Sequence, residues 1–441
     1  DKSFVEYGGS SLSHLEVQLF FSKRGGEAPD AWERLPLREL LAFEDSPPES
    51  TRRWQRVPAD LIARTVAILA VLALHSTDWQ TGGGSILLLV LAGHTLARFQ
   101  SEVLFRGQVG KTLWSMLGRL LGVYYVCIAV AALKFFPFDL RWFSLTANFG
   151  AELEPDAIMP YWFVSTYVQI IALAALPFLI PRVRSQVKAA PFQAGMAALL
   201  ALGATIEFLP LHGIYYNVRH HHPLIALELL VAGWIIFFAR TRWQKLFATV
   251  GLLLVWFQNF GMVEPNITAI LLGGSLSVLW GLGVPLPPRA VGGLLAFGRL
   301  SLFVYIAHVP ILYGLARFVP AGGLCFAILV GMSIIGGSIL ERMSKFFGEH
   351  LTLVVRKGWT SAFVRTGAVV PSLEAEPEAL MALGSDLEQA NGPAFAKQSV
   401  GEWDHTPQQR HVARPSERHS AEATAANDTQ ASPARSAAGD E

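Results

Sequence analysis

The 441-residue chain is poor in charge: 16% of its residues are Asp, Glu, Lys or Arg, against 52% hydrophobic. So few charges cannot clothe a water-facing surface, which excludes an ordinary soluble globular protein. A surplus of either sign is missing too. Lys and Arg number 35 and Asp and Glu 34, a formal net charge of +1, so no broad basic face is available to neutralise nucleic-acid phosphates. There are only two cysteines, Cys127 and Cys325, both inside apolar runs. Each reads as a small buried hydrophobe rather than as a disulfide partner or metal ligand. No cleavable signal peptide is legible, because the first ~57 residues are polar and the first apolar run is long enough to span a bilayer. No internal repeat is visible, and a start at Asp1 without methionine reads as a piece of a longer polypeptide.

What is abundant is apolar sequence. Runs of roughly 16 to 22 residues recur from Leu61 to about Leu340, each near the ~20 residues that cross a bilayer as a helix. Helices satisfy their own backbone polar groups in lipid, so the expected fold is all-α, a polytopic membrane bundle of about ten transmembrane helices. The spans are predicted at about 61–77, 84–98, 116–135, 158–180, 191–208, 223–239, 245–262, 266–282, 300–318 and 322–340. Alternate connections hold the basic residues: Arg98, Arg106 and Lys111; then Arg182, Arg184 and Lys188; then Arg240, Arg242 and Lys245; then Arg289 and Arg299. The enrichment of short cytoplasmic loops in Lys and Arg therefore predicts both termini in the cytoplasm. Residues 1–45 read as a polar, partly helical segment and 46–57 as a basic linker with Arg52, Arg53 and Arg56. The bundle is expected over 58–345, followed by a juxtamembrane segment at 346–371. The tail 372–441, rich in Ala, Glu, Ser and Pro, is predicted to be disordered.

Ionisable side chains within the spans mark the candidate site. Charge in hydrocarbon is costly and is kept where it faces a bundle interior or a water-filled path. In DLIARTVAILAVLALH, Arg64 and His75 lie eleven residues apart, close to three turns, and project from one helix face. Roughly 16 Å separates them along the axis, so they cannot touch. Arg119 is either a substrate-binding cation or a positive-inside loop residue. His308, in mid-span, is expected to face the pore. Glu228 follows Arg219 and three consecutive histidines, His220, His221 and His222, which cannot all face one ion. No metal site is expected there; the stretch reads as a polar, substrate-facing loop, with Glu228 paired to one of these cations. Tyr161 and Trp162 open the fourth span, where an interfacial aromatic anchor explains them as well as a sugar platform does. Near the N-terminus, Gly8 and Gly9 permit a tight turn, and Ser11 opens a helix with Leu12, Leu15 and Leu19 at helical spacing.

Six motifs, in order, resemble the membrane acyltransferase-3 family over about two thirds of the chain, from Val57 to Glu341. Arg64 and His75, with ten residues between them, resemble its arginine/histidine motif on the first helix. LLVLAGHTL at 88–96 is similar to its FFxxSGxxL-like second helix, Arg119 to its basic residue after the second loop, and YWFVSTYVQ at 161–169 to its WFLxxxxQ-like fourth helix. GRLSLFVYIAHVPI at 298–311 is similar to its GxxSYxxYLxHxP-like run, and Glu341 to the acidic residue closing its last helix. The chain departs from the pattern at Ala92-Gly93-His94, where the family usually has Ser-Gly-Phe, and at Ser301-Leu302. It also has a single arginine, Arg119, where a basic cluster is frequent. Separately, DKSFVEYGGSSLSHLEVQLF resembles the attachment site of a phosphopantetheine carrier domain, DxxFFxxGGxSL, with Ser11 on the residue that receives the arm. LPLRELLAF at 35–43 is similar to a later carrier helix, EDSPPEST replaces the expected last one, and the first would lie before Asp1.

These resemblances imply an O-acyltransferase of the bacterial plasma membrane that moves an acyl group from a cytoplasmic thioester to a hydroxyl of an extracytoplasmic glycan or glycolipid. The donor is acyl-CoA or an acyl group on 4′-phosphopantetheine attached to Ser11. The latter would need a pantetheinyl transferase and makes an upstream acid-activating domain plausible. Such a reaction needs a base, for which His75 is the candidate, and positive groups for phosphate or oxyanion, for which Arg64 is. A hydrogen-bonded histidine and a snorkelling arginine are the structural alternatives. A transporter or flippase for an acylated metabolite would use a polar-cored bundle equally well, although no inverted repeat favours it.

Overall fold

Long runs of Leu, Ala, Val and Ile with few interior prolines dictate helix in a medium that cannot hydrogen-bond an open backbone. The computed structural model describes residues 3–5, 9, 11–23, 32–36, 39–40, 54–79, 81–134, 140–149, 161–208, 221–260 and 265–366, and these are mostly helical. The linker residues Arg52 and Arg53, the loop with Arg219 and His220, and the tail 372–441 lie outside the described residues.

An N-terminal helix α1 (Ser11–Lys23) precedes α2 (Ala59–Ser76), α3 (Gly84–Phe105), α4 (Val109–Lys134) and α5 (Trp162–Ala175). A short basic helix α6 (Pro181–Ala189) buries no residue, and α7 (Pro191–Phe208), α8 (Pro223–Phe238) and α9 (Arg242–Phe260) follow it. Helices α10 (Pro265–Trp280), α11 (Pro288–Leu315) and α12 (Gly323–Thr366) complete the described chain. Among the described residues seven helical stretches are long and apolar enough to cross a membrane: α2, α3, α4, α5 with the 3-10 turn that continues it to Leu179, α7, α11 and α12. The apolar helices at Pro223–Phe238 and Ile267–Trp280 are shorter. Helix α9 is the tenth to coincide with an expected span, but Arg242, Gln244 and Lys245 make its first turn polar. Helix α12 runs past the expected end of the last span and through most of the juxtamembrane segment.

Helix α2 starts after Pro58, with Asp60 in its first turn where a carboxylate suits the positive end of the helix dipole, and stops at the extended residue Thr77. It packs against α3, α10, α11 and α12. A close backbone approach pairs α3 with α8. A Cβ on Gly93 would lie 1.8 Å from the Leu230 carbonyl oxygen, and one on Gly233 would lie 1.8 Å from that of Val90. Only glycine permits that contact from either side, the way small residues let helices meet in lipid.

Helix α1 lies on the starts of α2 and α11. Leu15 and Leu19 join Val57, Leu61, Val291 and Leu295 in one apolar cluster, while Phe4, Phe21, Trp32 and Leu40 pack around Phe99 of α3. Two short strands, Gln55–Val57 (β1) and Val284–Leu286 (β2), pair antiparallel with Gln55 opposite Leu286. The approach to α2 and the approach to α11 are thereby held side by side.

Candidate functional site

Arg64 projects from α2 one turn after Asp60, yet the two do not pair. The Asp60 carboxylate accepts from Arg98 of α3, Nη1 to Oδ2 at 3.4 Å. Arg64 instead donates from Nη2 to the Thr95 hydroxyl at 3.0 Å, its only hydrogen-bond partner among the described residues. A guanidinium carries five N–H donors, so most of Arg64 stays available. It lines a cavity of about 130 Å³ enclosed by α2, α3, α4, α5 and α11. Arg119 of α4 lines the same cavity, and none of the lining residues is acidic. Hydroxyls of Thr95, Ser115, Tyr167, Ser301 and Tyr305 supply polarity, while Ile68, Leu88, Leu91, Met116, Leu120 and Phe163 form an apolar wall. Two cations beside an apolar trough suit an anionic head carrying an apolar or acyl tail.

His75 does not line this cavity. It sits exposed near the end of α2, with its ring stacked on His308 of α11 at a centroid separation of 5.6 Å. His308 is buried, its Nδ1 donating to the Tyr305 carbonyl, and its Nε2 has no hydrogen-bond partner among the described residues. Tyr305 both lines the cavity and meets the His308 ring at 5.3 Å, so a file of rings, Tyr305, His308 and His75, leads away from the cavity. Arg64 and Arg119 are brought together, as are His75 and His308, with Tyr305 between the two pairs.

The remaining expected site residues lie apart from both. Tyr161 is buried, and its hydroxyl donates to the Ile306 carbonyl at 3.4 Å. That carbonyl is left over because Pro310, four residues on within α11, has no N–H to return. Trp162 is buried too, its ring stacked on His221 at 3.8 Å. Neither aromatic is exposed as a lipid–water anchor requires. Glu228 is 1% exposed and accepts from the Asn259 side chain at 2.7 Å, facing Gly203 and Gln258 rather than His221 or His222. Its hydrogen-bond partner among the described residues is thus an amide, because residue 228 on α8 turns toward α7 and α9.

Ser11 opens α1. Two residues earlier, the Gly9 carbonyl accepts from Gln100 Nε2 at 3.2 Å, and the same amide donates to Ser115 Oγ at 3.2 Å. Ser115 lines the cavity, so the start of α1 lies two hydrogen bonds from its wall.

A charge cluster fixes this segment. Arg98 donates to Glu33 from Nη2 at 3.0 Å and from Nε at 3.3 Å, and its Nη2 lies 3.3 Å from His14 Nε2. His14 stacks on Trp32 at 4.9 Å. Burial, with Arg98 adding to it, pushes His14 down from 6.5 to about 3, so it is neutral beside the guanidinium. Burial works to raise the Glu33 carboxyl, but Arg98 and backbone hydrogen bonding outweigh it and hold it below its ordinary value.

Comparison with protein-family models, with curated proteins and with solved structures returns no match. The residues that sequence reasoning missed are Thr95, Ser115, Tyr167 and Tyr305 in the cavity and Arg98 at the docked segment. Their one signal was hydroxyl or charge on a helix face otherwise apolar.

Proposed function

We propose that the chain is a polytopic membrane O-acyltransferase of the acyltransferase-3 type, with ten spans and both termini cytoplasmic in a bacterial plasma membrane. Its N-terminal segment serves as a partial carrier that bears 4′-phosphopantetheine on Ser11. The observation that carries this reading is the convergence of Arg64 and Arg119, with no carboxylate in the lining, on a cavity with an apolar wall beside the start of α1.

The donor phosphate pairs with the two guanidiniums, which suit bidentate phosphate contact. The thioester and acyl chain lie along Ile68, Leu88, Leu91 and Met116. Tyr305 and His308 stand between this trough and His75, so the thioester reaches His75 when the Tyr305 ring turns aside. At His75 the acceptor hydroxyl loses its proton to the imidazole and its oxygen attacks the thioester carbon. The new C–O bond forms, the C–S bond breaks, and the proton ends on the pantetheine sulfur. The acyl group crosses the bilayer while its carrier stays behind, and the acceptor is a hydroxyl of an extracytoplasmic glycan or glycolipid.

His75→Ala is expected to lower ester formation by roughly 10²–10⁴-fold, the span of general-base catalysis, with an unchanged elution profile in detergent. Arg64→Gln raises the donor KM more than it lowers kcat. Wild-type turnover by His75→Ala contradicts the assignment. Full transfer by Ser11→Ala eliminates tethered donation and leaves free acyl-CoA as the donor.

A further inference from the structure

Arg119 also lines a second, far smaller cleft of about 10 Å³ bounded by α1, α4, α11 and α12. Two further cations face it. Arg299 Nη2 donates to Glu341 Oε2 at 3.2 Å, and the Arg299 Nε is buried with no hydrogen-bond partner among the described residues. Lys345 Nζ lies 3.5 Å from Glu16 Oε1 and 3.8 Å from Glu341 Oε1. Three cations therefore meet two carboxylates, and one of those carboxylates, Glu16, belongs to α1. With α1 seated the cleft has room for about one water molecule. With α1 lifted, three cations face Glu341 alone, and the unpaired Arg299 N–H is exposed to an incoming acceptor. That is the chemistry of a phosphate site.

We infer that α1 is a selectivity plug over a phosphate-binding cleft, excluding the 3′-phosphoadenosine end of free coenzyme A while the chain's own N-terminal segment delivers the donor. The inference rests on reading the Arg64–Arg119 cavity as the donor site, since Arg119 is common to both spaces. A carrier-borne pantetheine brings one phosphate, enough for Arg64 and Arg119. Free coenzyme A brings a nucleotide as well, and its place is taken by Glu16. The Glu16–Lys345 ion pair and the seating of Leu15 and Leu19 against Leu61, Val291 and Leu295 hold the plug over the cleft, beside the His14–Arg98 contact and the packing of Phe21 around Phe99 on its other flank.

The test uses the full, unmodified chain in lipid nanodiscs with adenosine 3′,5′-bisphosphate as the probe, measured by equilibrium binding. Two variants open the cleft by unrelated means. Glu16→Lys reverses the ion pair, and Leu15→Ser/Leu19→Ser removes the apolar seat without altering any charge. Both are expected to bind the probe at least tenfold more tightly than wild type, and Arg299→Gln added to the leucine variant is expected to cancel the gain. A gain in Glu16→Lys alone would reflect added positive charge and overturn the plug. So would a gain in neither variant, or a wild type that binds as tightly as both. That last result would leave acyl transfer standing with free coenzyme A as donor, whereas loss of the ester-forming reading leaves this binding experiment unaffected.

Discussion

At the scale of single residues, the docked N-terminal segment is sensitive to protons through His14. Its folded value of about 3 lies below the 6.5 of an open chain, so docking favours the neutral imidazole. The stability it contributes is whole above about pH 6.5 and is lost progressively as pH falls toward 3. Glu33, also lowered, acts in the same direction. Protonation would set a cation 3.3 Å from Arg98, with Glu33 and Asp60 left to offset both. Protease cleavage within residues 1–50 of the folded protein should therefore rise between pH 7 and pH 5, and His14→Phe should flatten that rise. A rise of equal size in His14→Phe would assign it to another group. Tyr161→Phe strands the Ile306 carbonyl that Pro310 leaves over, a loss of about 1–3 kcal/mol for a buried polar group, read as a lower midpoint in detergent unfolding.

How far the site could be read from sequence is also a matter of residues. The placement of Arg64 and His75 on one helix was legible because helical geometry fixes their spacing, whereas the cavity that Arg64 lines and His75 does not was not. Arg98, Arg299 and Lys345 were not legible as site residues. Their partners, Glu33, Glu341 and Glu16, are distant in sequence, and without them a basic residue near a span end is indistinguishable from ordinary loop charge. Glu228 misled for the same reason. Its neighbours in sequence are histidines, while its neighbours in space are Asn259, Gln258 and Gly203.

At the scale of elements, apolar periodicity found the helices more reliably than their crossings. Helices occur at every expected span, but α8 and α10 are short, and the polar opening of α9 lowers its hydropathy, so among the described residues seven stretches reach the length and apolarity of a full crossing. What sequence could not supply is which helices touch. The pairing of α3 with α8 depends on Gly93 and Gly233, more than a hundred positions apart, each facing the other helix's backbone. Gly93→Leu should force these helices apart at a cost of roughly 1–3 kcal/mol, the usual range for overpacking, and lower resistance to unfolding in mixed micelles. Gly110→Leu, at a position open to its surroundings, serves as the control and should leave resistance unchanged. Equal loss in both would remove the special standing of the contact.

At the scale of the whole molecule, β1 and β2 tie the entry to α2 to the entry to α11, and Lys345 of α12 meets Glu16 of α1. Segments in contact lie on one face of a bilayer, which requires an even number of crossings between them. The proposed ten spans with cytoplasmic termini meet that condition. Single cysteines at the exposed positions Glu39 and Leu282 are expected to react with an impermeant maleimide from one side of sealed vesicles, and one at Asp78 from the other. Reaction of Asp78→Cys and Leu282→Cys from the same side would contradict this topology.

The central claim, that an acyl group enters at Arg64 and leaves at His75, is tested most directly by one single-turnover experiment. Protein loaded on Ser11 with acetyl-pantetheine is sealed into proteoliposomes with a glucan oligosaccharide on the face opposite the carrier, and acetyl ester on the glucan is followed by mass spectrometry. The account predicts ester on the enclosed glucan at the expense of the thioester, with His75→Ala holding the thioester intact. A wild-type thioester that persists, or an ester formed equally well by His75→Ala, would contradict it.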